Sequence, residues 1–383
     1  MEEIRKEHAK EKGSVFMKSN HKRLFSLLLA GSMMFGLAAC GDKNGSSASG
    51  KNSSSEPSGE PLVVGVQSSL ISAPTVYAKE KGYFDELGLN VELVMFPNGS
   101  PENEGLAAEQ LDIASNGLAS VFPVSSGLCA FVAETDTIGK STWIMARPDN
   151  PVFDKQGEIA EYPEMYGSKD ALKGQTILGA TSTISHHMAA AYMSRFGLEA
   201  GADYEFLNMD NSAAVQAFLA GEGDMIATAD FNLLEQLEAG GAKRVASYQD
   251  ATGGDFLNGI VARYDVLEER RADVVLFLKG MYRAAEELQN DLDLRVKYWC
   301  KFYSENGKEA SEEAFRQEAE TRIYVTPEYM KSDDYVMGSG LVGTGVFFAS
   351  IGTIDEDQAE NVKKGIDGSL IEDALGITVK TAN

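Results

Sequence analysis

The chain has 383 residues, of which 43% are hydrophobic and 24% are charged, a globular composition long enough for two domains. Its 34 Lys and Arg against 58 Asp and Glu give a formal charge of −24, which argues against nucleic-acid binding and against docking on anionic lipid through a basic face. Three cysteines are too few for a disulfide scaffold, and we expect Cys129 and Cys300 to be free thiols.

The first forty residues differ from the rest of the chain. Residues 1–39 carry seven basic and four acidic side chains, so the remainder has 27 basic against 54 acidic residues and a net charge of −27. A basic stretch from Met17 precedes an uncharged segment, 24–39. As a helix this segment would span roughly 24 Å, short for a bilayer core of about 30 Å. The pattern predicts a signal peptide over 1–39, beginning at Met1 or Met17, rather than a transmembrane anchor.

The next residues predict attachment to a membrane through lipid. The sequence Leu37-Ala38-Ala39-Cys40 resembles a bacterial lipobox, which implies cleavage before Cys40 and a diacylglycerol anchor with palmitate-type chains on its thiol. Residues 41–60 include seven Ser and four Gly, so residues 40–60 are expected to form a lipidated, flexible tether. We therefore expect a lipid-anchored protein at the extracytoplasmic face of a bacterial cell membrane.

Between residues 61 and 247, short apolar runs alternate with helical patterns, which is typical of an α/β fold with mainly parallel sheets. The predicted strands are 62–66, 91–96, 111–115, 130–133, 142–146, 176–180, 204–207, 225–228 and 244–246. Helices are predicted from 73 to the turn at Gly88 and at 106–110, 117–126, 184–196, 213–220 and 231–238. The segments 107–114 and 219–226 share one pattern of helix end, turn, aspartate and strand, which indicates the same unit in two domains.

From residue 265 onward the sequence is predicted to be mostly helical. Asp265 and Glu268 form a capping-box pattern. Further helices fit 291–304, 310–321, 327–337 and 356–372. None of these segments carries a pattern of catalytic residues, so we expect them to pack against the core.

Motifs of common catalytic and metal sites are missing from residues 40–383. The two histidines there, His186 and His187, are adjacent, so on a helix they point about 100° apart and cannot share a metal on one face. No GxSxG, HExxH, CxxC or GxxxxGK[ST] pattern occurs. We therefore expect neither an enzyme nor a bound metal or cofactor.

Small polar residues follow four of the predicted strands, two in each half of the chain. Ligands of parallel α/β sheets bind beyond the carboxyl ends of strands, where helix N-termini present free N–H groups. Each turn on its own is also explained as a helix cap, but four of them together predict one cleft. The candidate ligand-binding residues are Gln67, Ser68, Ser69, Asn116, Thr183, His186 and Asp230.

Several segments resemble the nitrate/sulfonate/taurine (SsuA/THI5-like) family of ABC-transporter solute-binding proteins. Residues 77–89, YAKEKGYFDELGL, are similar to the family's first-helix segment, and 172–177, LKGQTI, resemble its entry to the second domain. Residues 219–230 resemble its L-x-x-G-x-x-D segment. Ser182 stands where the family has glycine, and Ala229 and Phe231 replace a Trp and a Pro. These departures distinguish the pocket from the sulfonate- and taurine-type pattern. Asp230 is a candidate to recognise an amine on the solute, so the charge of the solute stays open.

The resemblance implies an α/β fold like type II periplasmic binding proteins, with two α/β lobes joined by two hinge strands and with C-terminal helices. Lobe I would comprise 61–143 and 262–383, and lobe II 144–261, with crossings near 141–147 and 258–263. The implied function is capture of a small polar or anionic solute between the lobes (a sulfonate, nitrate, a pyrimidine or a related compound) and delivery to an ABC permease by a monomer. Arg147 and Arg263 are candidates for a positive charge near the hinges.

Two other classes stay open from the residues. One is an enzyme on the same fold, similar to thiamine-pyrimidine synthase, which would reveal itself by turnover or by self-modification of His186. The other is a surface adhesin or sensor, which would bind a protein partner and show no ligand-driven closure.

Overall fold

The computed structural model describes residues 57–138 and 140–383. The predicted signal peptide, Cys40 and the tether up to residue 56 lie outside these residues. Among the described residues, no helix combines the length and the apolar character needed to span a bilayer. Cys129 and Cys300 are free thiols in this part of the chain, as expected.

Ten strands form two five-stranded sheets. The first sheet has the order β2-β1-β3-β10-β4 and the second the order β7-β6-β8-β5-β9. The strands are β1 (Leu62–Gln67), β2 (Val91–Phe96), β3 (Ile113–Asn116), β4 (Cys129–Thr137), β5 (Trp143–Ala146), β6 (Thr176–Gly179), β7 (Glu205–Asn208), β8 (Met225–Thr228), β9 (Lys243–Ser247) and β10 (Leu257–Arg263).

Each sheet combines three parallel strands with two further strands. β1 pairs in parallel with β2, Leu62 opposite Val91, and with β3, Val64 opposite Ile113. β10 then runs antiparallel to β3 and β4. In the second sheet β6 is parallel to β7 and β8, whereas β5 is antiparallel to β8 and β9. The apolar run of β1 is almost wholly buried, as expected for a parallel strand covered on both faces.

Sixteen helices of the described residues cover these sheets. They are α1 (Ala73–Glu80), α2 (Tyr83–Glu86), α3 (Gly99–Ala107), α4 (Val121–Ser125), α5 (Lys169–Leu172), α6 (Ile184–Arg195), α7 (Asn211–Leu219), α8 (Phe231–Ala239), α9 (Tyr248–Thr252), α10 (Tyr264–Glu269), α11 (Arg271–Asn290), α12 (Leu292–Glu305), α13 (Glu312–Thr321), α14 (Ser339–Ser350), α15 (Glu356–Lys364) and α16 (Ser369–Leu375). The short helix Leu118–Ser120 is of the 3-10 type.

The C-terminal helices pack on the first sheet. α11, the longest helix described, contacts α1, α2 and α16, and the Phe277 ring stacks on Phe84 at 5.3 Å. The chain also returns to the edge strand β4, where the Phe131 N–H donates to the Gly365 carbonyl at 2.8 Å. The first sheet and its covering helices therefore draw on both ends of the described chain.

The main chain passes between the sheets twice. It leaves the first sheet after Thr137 and enters the second at Trp143, then leaves at Ser247 and re-enters the first at Leu257. The second crossing thus lies earlier than the predicted 258–263, because that apolar run pairs along β3 and β4 and is an inner strand of the first sheet. The division into lobes at 143/144 and 261/262 stays a prediction.

Some C-terminal helices differ from the sequence prediction. Residues 327–337 contain only a short 3-10 turn, Tyr329–Lys331, whereas α14 forms in a glycine-rich segment with no predicted helix. The predicted helix 356–372 is two helices, α15 and α16, separated at Gly365–Gly368. Packing decides these cases, since glycine by itself disfavours helix by about 1 kcal/mol.

Candidate ligand-binding cleft

Two adjoining cavities lie where the carboxyl ends of β1 and β3 meet those of β6 and β8. Their volumes are about 80 Å³ and 40 Å³. They share six lining residues from both sheets and their loops: Ser69, Ile71, Ile184, Ala229, Asp230 and Asn258. We call the two together the cleft. A larger cavity of about 510 Å³ lies between α6, α9 and α14, but no strand of either sheet ends in it.

The first-sheet side of the cleft is built on buried amides. Gln67 ends β1 and Asn116 ends β3, and both are buried. The Gln67 Nε2 donates to Glu102 Oε2 at 2.9 Å, and the Asn116 Nδ2 donates to Asn103 Oδ1 at 2.9 Å. Gly99 gives Asn116 its place, because a Cβ there would collide with the Asn116 Oδ1 and lie 2.8 Å from the Ala119 Cβ.

A buried carboxyl supports this amide layer. Glu102 is fully buried in α3, and burial raises its pKa well above the usual value, against the opposing effect of Gln67. A neutral acid here avoids the large cost of an unpaired buried charge. Glu102 therefore holds Gln67 in position without adding a charge behind the cleft.

The second-sheet side consists of helix starts. Thr183 precedes α6 and Asp230 precedes α8; both side chains are buried, and neither caps its own helix. The Thr183 Oγ1 instead donates to the Ala180 carbonyl at 2.7 Å. The first N–H groups of α6 and α8 thus keep their unpaired character at the cleft.

Several buried oxygens around the cleft have no hydrogen-bond partner among the residues the structure describes. They are the Ser69 Oγ, Thr142 Oγ1, Ser185 Oγ and Asn211 Oδ1, and each of these residues lines one or both cavities. Leaving a buried polar group unpaired costs about 1–3 kcal/mol. Four such atoms on residues that line one cleft point to a ligand that would pair with them.

Asp230 is joined to the C-terminal helices. Its Oδ1 accepts from the Tyr303 hydroxyl at 2.6 Å and its Oδ2 from the Lys308 Nζ at 2.7 Å. The rings of Phe231 and Tyr303 pack at 5.1 Å beside this contact. The contact ties the start of α8, beside the second sheet, to the α12–α13 region.

A buried ion cluster lies behind the second cavity. The Arg322 Nη1 contacts Asp136 Oδ2 at 2.5 Å, and its Nε contacts Glu318 Oε1 at 2.8 Å. Burial opposes the charged guanidinium, yet the two carboxylates raise the pKa of Arg322 above its ordinary value. The Arg322 Nη groups also donate to the Thr137 and Ile138 carbonyls, so the cluster fixes the first crossing between the sheets.

Five of the seven predicted ligand-binding residues line the cleft together: Gln67, Ser69, Asn116, Thr183 and Asp230. Ser68 and His186 are absent from the lining. His186 packs against the Phe206 ring at 4.9 Å and the Phe348 ring at 6.0 Å, and burial lowers its pKa. Their roles in binding, like those of the other five, stay predictions.

The two arginines considered as charge donors lie elsewhere. Arg147 donates to the Phe218 carbonyl at 3.1 Å, and Arg263 pairs with Asp265. Neither lines the cleft. Within the described residues, no group of three or more His, Cys, Asp or Glu side chains is arranged to hold a metal ion.

Several residues that line the cleft are not among those predicted from the sequence. They are Thr142, Ser185, Asn211, Asn258, Tyr303 and Arg322. Ser185 and Asn211 each occupy the first turn of a helix, a pattern that could have drawn attention to them. Tyr303 and Arg322 lie in C-terminal segments whose sequence gives no sign of the cleft.

Solved binding proteins have the same fold. The nitrate-binding protein NrtA from Synechocystis PCC 6803 matches with a TM-score of 0.66 at 13% identity, over 84% of this chain and 89% of that one. The alkanesulfonate-binding protein SsuA from Xanthomonas axonopodis pv. citri, bound to MOPS, matches with a TM-score of 0.61 at 16% identity, over 80% and 98%. The chain thus has the two-sheet α/β fold of periplasmic binding proteins, as the resemblance implied.

Sequence comparison identifies the family. The protein belongs to the NMT1-like family, whose model matches residues 55–291. A Brachyspira hyodysenteriae protein named as an ABC transporter periplasmic binding protein is 28% identical over 361 residues, 94% of this chain and all of that one. An aliphatic sulfonates-binding protein named in Bacillus subtilis is 36% identical over 108 residues, 27% of this chain and 29% of that one. The predicted relationship to ABC-transporter binding proteins is confirmed.

Proposed function

We propose that this protein is an extracytoplasmic solute-binding protein that captures a small polar solute in the cleft and delivers it to an ABC permease. The observation that carries the proposal is that Ser69, Thr142, Ser185 and Asn211, whose side-chain oxygens have no partner in the described structure, all line one cleft between the two sheets. Relatives named as binding proteins of ABC transporters support it. The protein acts by binding and release and not as an enzyme.

Capture involves closure of two lobes around the solute. The lobes correspond to the two sheets with their helices, and the two crossings are the hinges. The contact of Asp230 with Tyr303 and Lys308 would then bridge the lobes on one side of the cleft. The permease recognises the closed, loaded form of the monomer.

A thermal-shift screen tests solute capture. The panel comprises sulfonates, nitrate, pyrimidines, amines and amino acids. A ligand present at about 100 times its Kd stabilises the folded protein by about 2.7 kcal/mol. Small-angle scattering with the strongest stabiliser should show a smaller radius of gyration. A screen without any stabiliser would contradict solute capture, as would binding of a protein partner without closure.

Membrane attachment is tested separately. We propose that the Cys40 thiol carries the lipid and that residues 41–60 tether the folded body to the outer face of the membrane. A Cys40→Ala variant should leave the membrane fraction for the soluble fraction, while Cys300→Ala should stay with the membrane. Membrane retention of the Cys40 variant would refute the lipid anchor and leave solute capture untouched.

A further inference from the structure

The orientation of the Gln67 amide is fixed by a chain of hydrogen bonds that starts at the main chain. The Ala119 carbonyl accepts from the Asn103 Nδ2 at 2.9 Å, so the Asn103 Oδ1 faces the Asn116 Nδ2. The Asn116 Oδ1 is therefore turned to the Gln67 Nε2, at 3.4 Å. A main-chain carbonyl only accepts, and this sets the direction of every amide along the chain.

The Gln67 Nε2 is consequently used inside the protein. Besides Asn116 it donates to Glu102 Oε2 at 2.9 Å and lies 3.4 Å from the Ser115 carbonyl. A reversed amide would bring the Gln67 oxygen against the Asn116 Oδ1 and the Ser115 carbonyl oxygen, neither of which can donate to it. Because Gln67 lines the cleft, its carbonyl oxygen is the polar atom left for a ligand.

The Asn258 amide is oriented in the same way, with its nitrogen toward the protein and its oxygen toward the cleft. Its Nδ2 donates to Asp136 Oδ2 at 3.2 Å, and Asp136 also accepts from Thr135 and Arg322. The donors around Asp136 thus fix the Asn258 nitrogen on the protein side. Asn258 lines both cavities, so its carbonyl oxygen is the group offered to the cleft.

The second-sheet side adds two more acceptors. The Thr183 hydroxyl donates its one hydrogen bond to the Ala180 carbonyl, so only lone pairs of its Oγ1 remain for a ligand. The Asp230 carboxylate receives one donor on each oxygen and keeps further lone pairs, while the nearby Lys308 balances its charge. Both residues line the cleft.

We propose that the solute is an uncharged or cationic nitrogen compound (an amine, amide or amidine) whose N–H groups donate to Gln67, Asn258, Thr183 and Asp230. The inference rests on the proposed function and names its substrate class. Nitrate and sulfonate groups carry acceptors only, so four oxygens facing them would stay unpaired and repel them. The hydroxyls of Ser69 and Ser185 rotate to serve either partner, and the first N–H groups of α6 and α8 take an acceptor atom of the same solute.

The size of the cleft fits a compact solute. Cavities of about 80 Å³ and 40 Å³ have room for on the order of ten water-sized groups. Small probes that differ only in hydrogen-bonding groups are therefore suitable. Acetate, acetamide and acetamidine form such a series, because the three have nearly the same shape and run from acceptor-only to donor-rich.

The test is titration calorimetry of the full-length protein in mild detergent with these three probes, nitrate and ethanesulfonate. We expect acetamide and acetamidine to bind at least about tenfold more tightly than acetate, since each satisfied acceptor contributes up to about tenfold. Nitrate and ethanesulfonate should bind no better than acetate. Tighter binding of the anions than of the N–H probes would overturn the substrate class and leave solute capture standing. Absence of binding by all five would overturn both.

Two variants connect the preference to the named atoms. Gln67→Met removes one acceptor and Thr183→Val another, and each should weaken acetamidine about five- to tenfold while acetate binding stays the same or becomes tighter. Thr321→Val is the matched control, because the Thr321 hydroxyl likewise donates to a main-chain carbonyl three residues earlier, that of Glu318 at 3.2 Å, but lies outside the cleft. Melting temperatures report whether each variant folds. Equal loss for acetate and acetamidine in folded variants would refute the roles assigned to Gln67 and Thr183.

Discussion

Glu134 predicts how the stability of this protein depends on pH. The side chain lies in β4 and is 1% exposed. Its Oε1 accepts from the Gly338 N–H at 2.9 Å, at the start of α14. Burial raises the pKa of Glu134 from 4.5 to about 7, although the hydrogen bond from the Gly338 N–H opposes the shift. The folded protein therefore binds a proton that the unfolded chain has already released.

The sign and size of the effect follow from this difference. Between about pH 4.5 and pH 7 the folded state binds more protons than the unfolded state, so the free energy of unfolding falls as the pH rises. Each pKa unit corresponds to about 1.4 kcal/mol, so the full penalty from Glu134 above pH 7 is on the order of 3 kcal/mol. Below pH 4.5 the carboxyl is protonated in both states and costs nothing.

The perturbation is Glu134→Gln, which keeps an acceptor for Gly338 and cannot ionise. Urea unfolding followed by circular dichroism at pH 5 and pH 8 should show the variant more stable at pH 8 by about 2–3 kcal/mol and nearly unchanged at pH 5. The control is Glu92→Gln, an exposed glutamate of β2, which should leave the difference between the two pH values unchanged. A Glu134→Gln protein with the wild-type pH dependence would contradict a raised pKa at Glu134.

Three further predictions concern the cleft and its supports. Arg322→Met leaves Asp136 and Glu318 buried without their cation and should lower the free energy of unfolding by about 3–5 kcal/mol in urea titrations. The control, Arg316→Met at the exposed pair with Asp293, should not move the urea midpoint, and equal effects would contradict a structural role for the buried cluster. Gly99→Ala places a Cβ against Asn116 and should lower the free energy of unfolding by about 1–3 kcal/mol in the same assay. A Cβ at Gly343 in α14 meets no atom within 4 Å, so Gly343→Ala should raise the free energy of unfolding by up to about 1 kcal/mol. A Gly99→Ala protein more stable than the Gly343→Ala protein would refute the packing at Asn116. Ser185→Ala removes a hydroxyl without a partner in the described structure, so the melting temperature of the ligand-free protein should stay the same or rise. The affinity for a bound solute, measured by calorimetry, should fall about five- to tenfold, and an unchanged affinity would exclude Ser185 from binding.

Much of the fold could be predicted because it depends on local pattern. The apolar run of β1 identifies a buried strand without reference to the rest of the chain. The strand–helix alternation up to residue 247 predicts parallel sheets, since parallel strands need helical crossovers. Polar turns after the strands likewise indicated where a cleft would form, and Gln67, Ser69, Asn116, Thr183 and Asp230 do come together there.

Local sequence patterns did not predict features whose packing partners lie far away in the sequence. α14 forms despite glycines at 340, 343 and 345 because its buried face, with Leu341 and Phe348, packs in the core. His186 follows the same polar turn as Thr183, but it is directed against Phe206 and Phe348 and away from the cleft. Nothing in the local sequence shows that Thr183 lines the cleft and that His186 does not.

The fold class, the family resemblance and most of the strand ends that line the cleft can be predicted from the sequence alone, because hydrophobic period and turn chemistry are local properties. Which atoms each polar side chain offers to a ligand depends on the tertiary structure. The direction of the Gln67 and Asn258 amides depends on Asn103, Asn116 and Asp136, and the state of Asp230 depends on Tyr303 and Lys308, more than seventy residues away. Hydrogen bonds form between groups that are close in space, and the local sequence does not show which distant residues will be close.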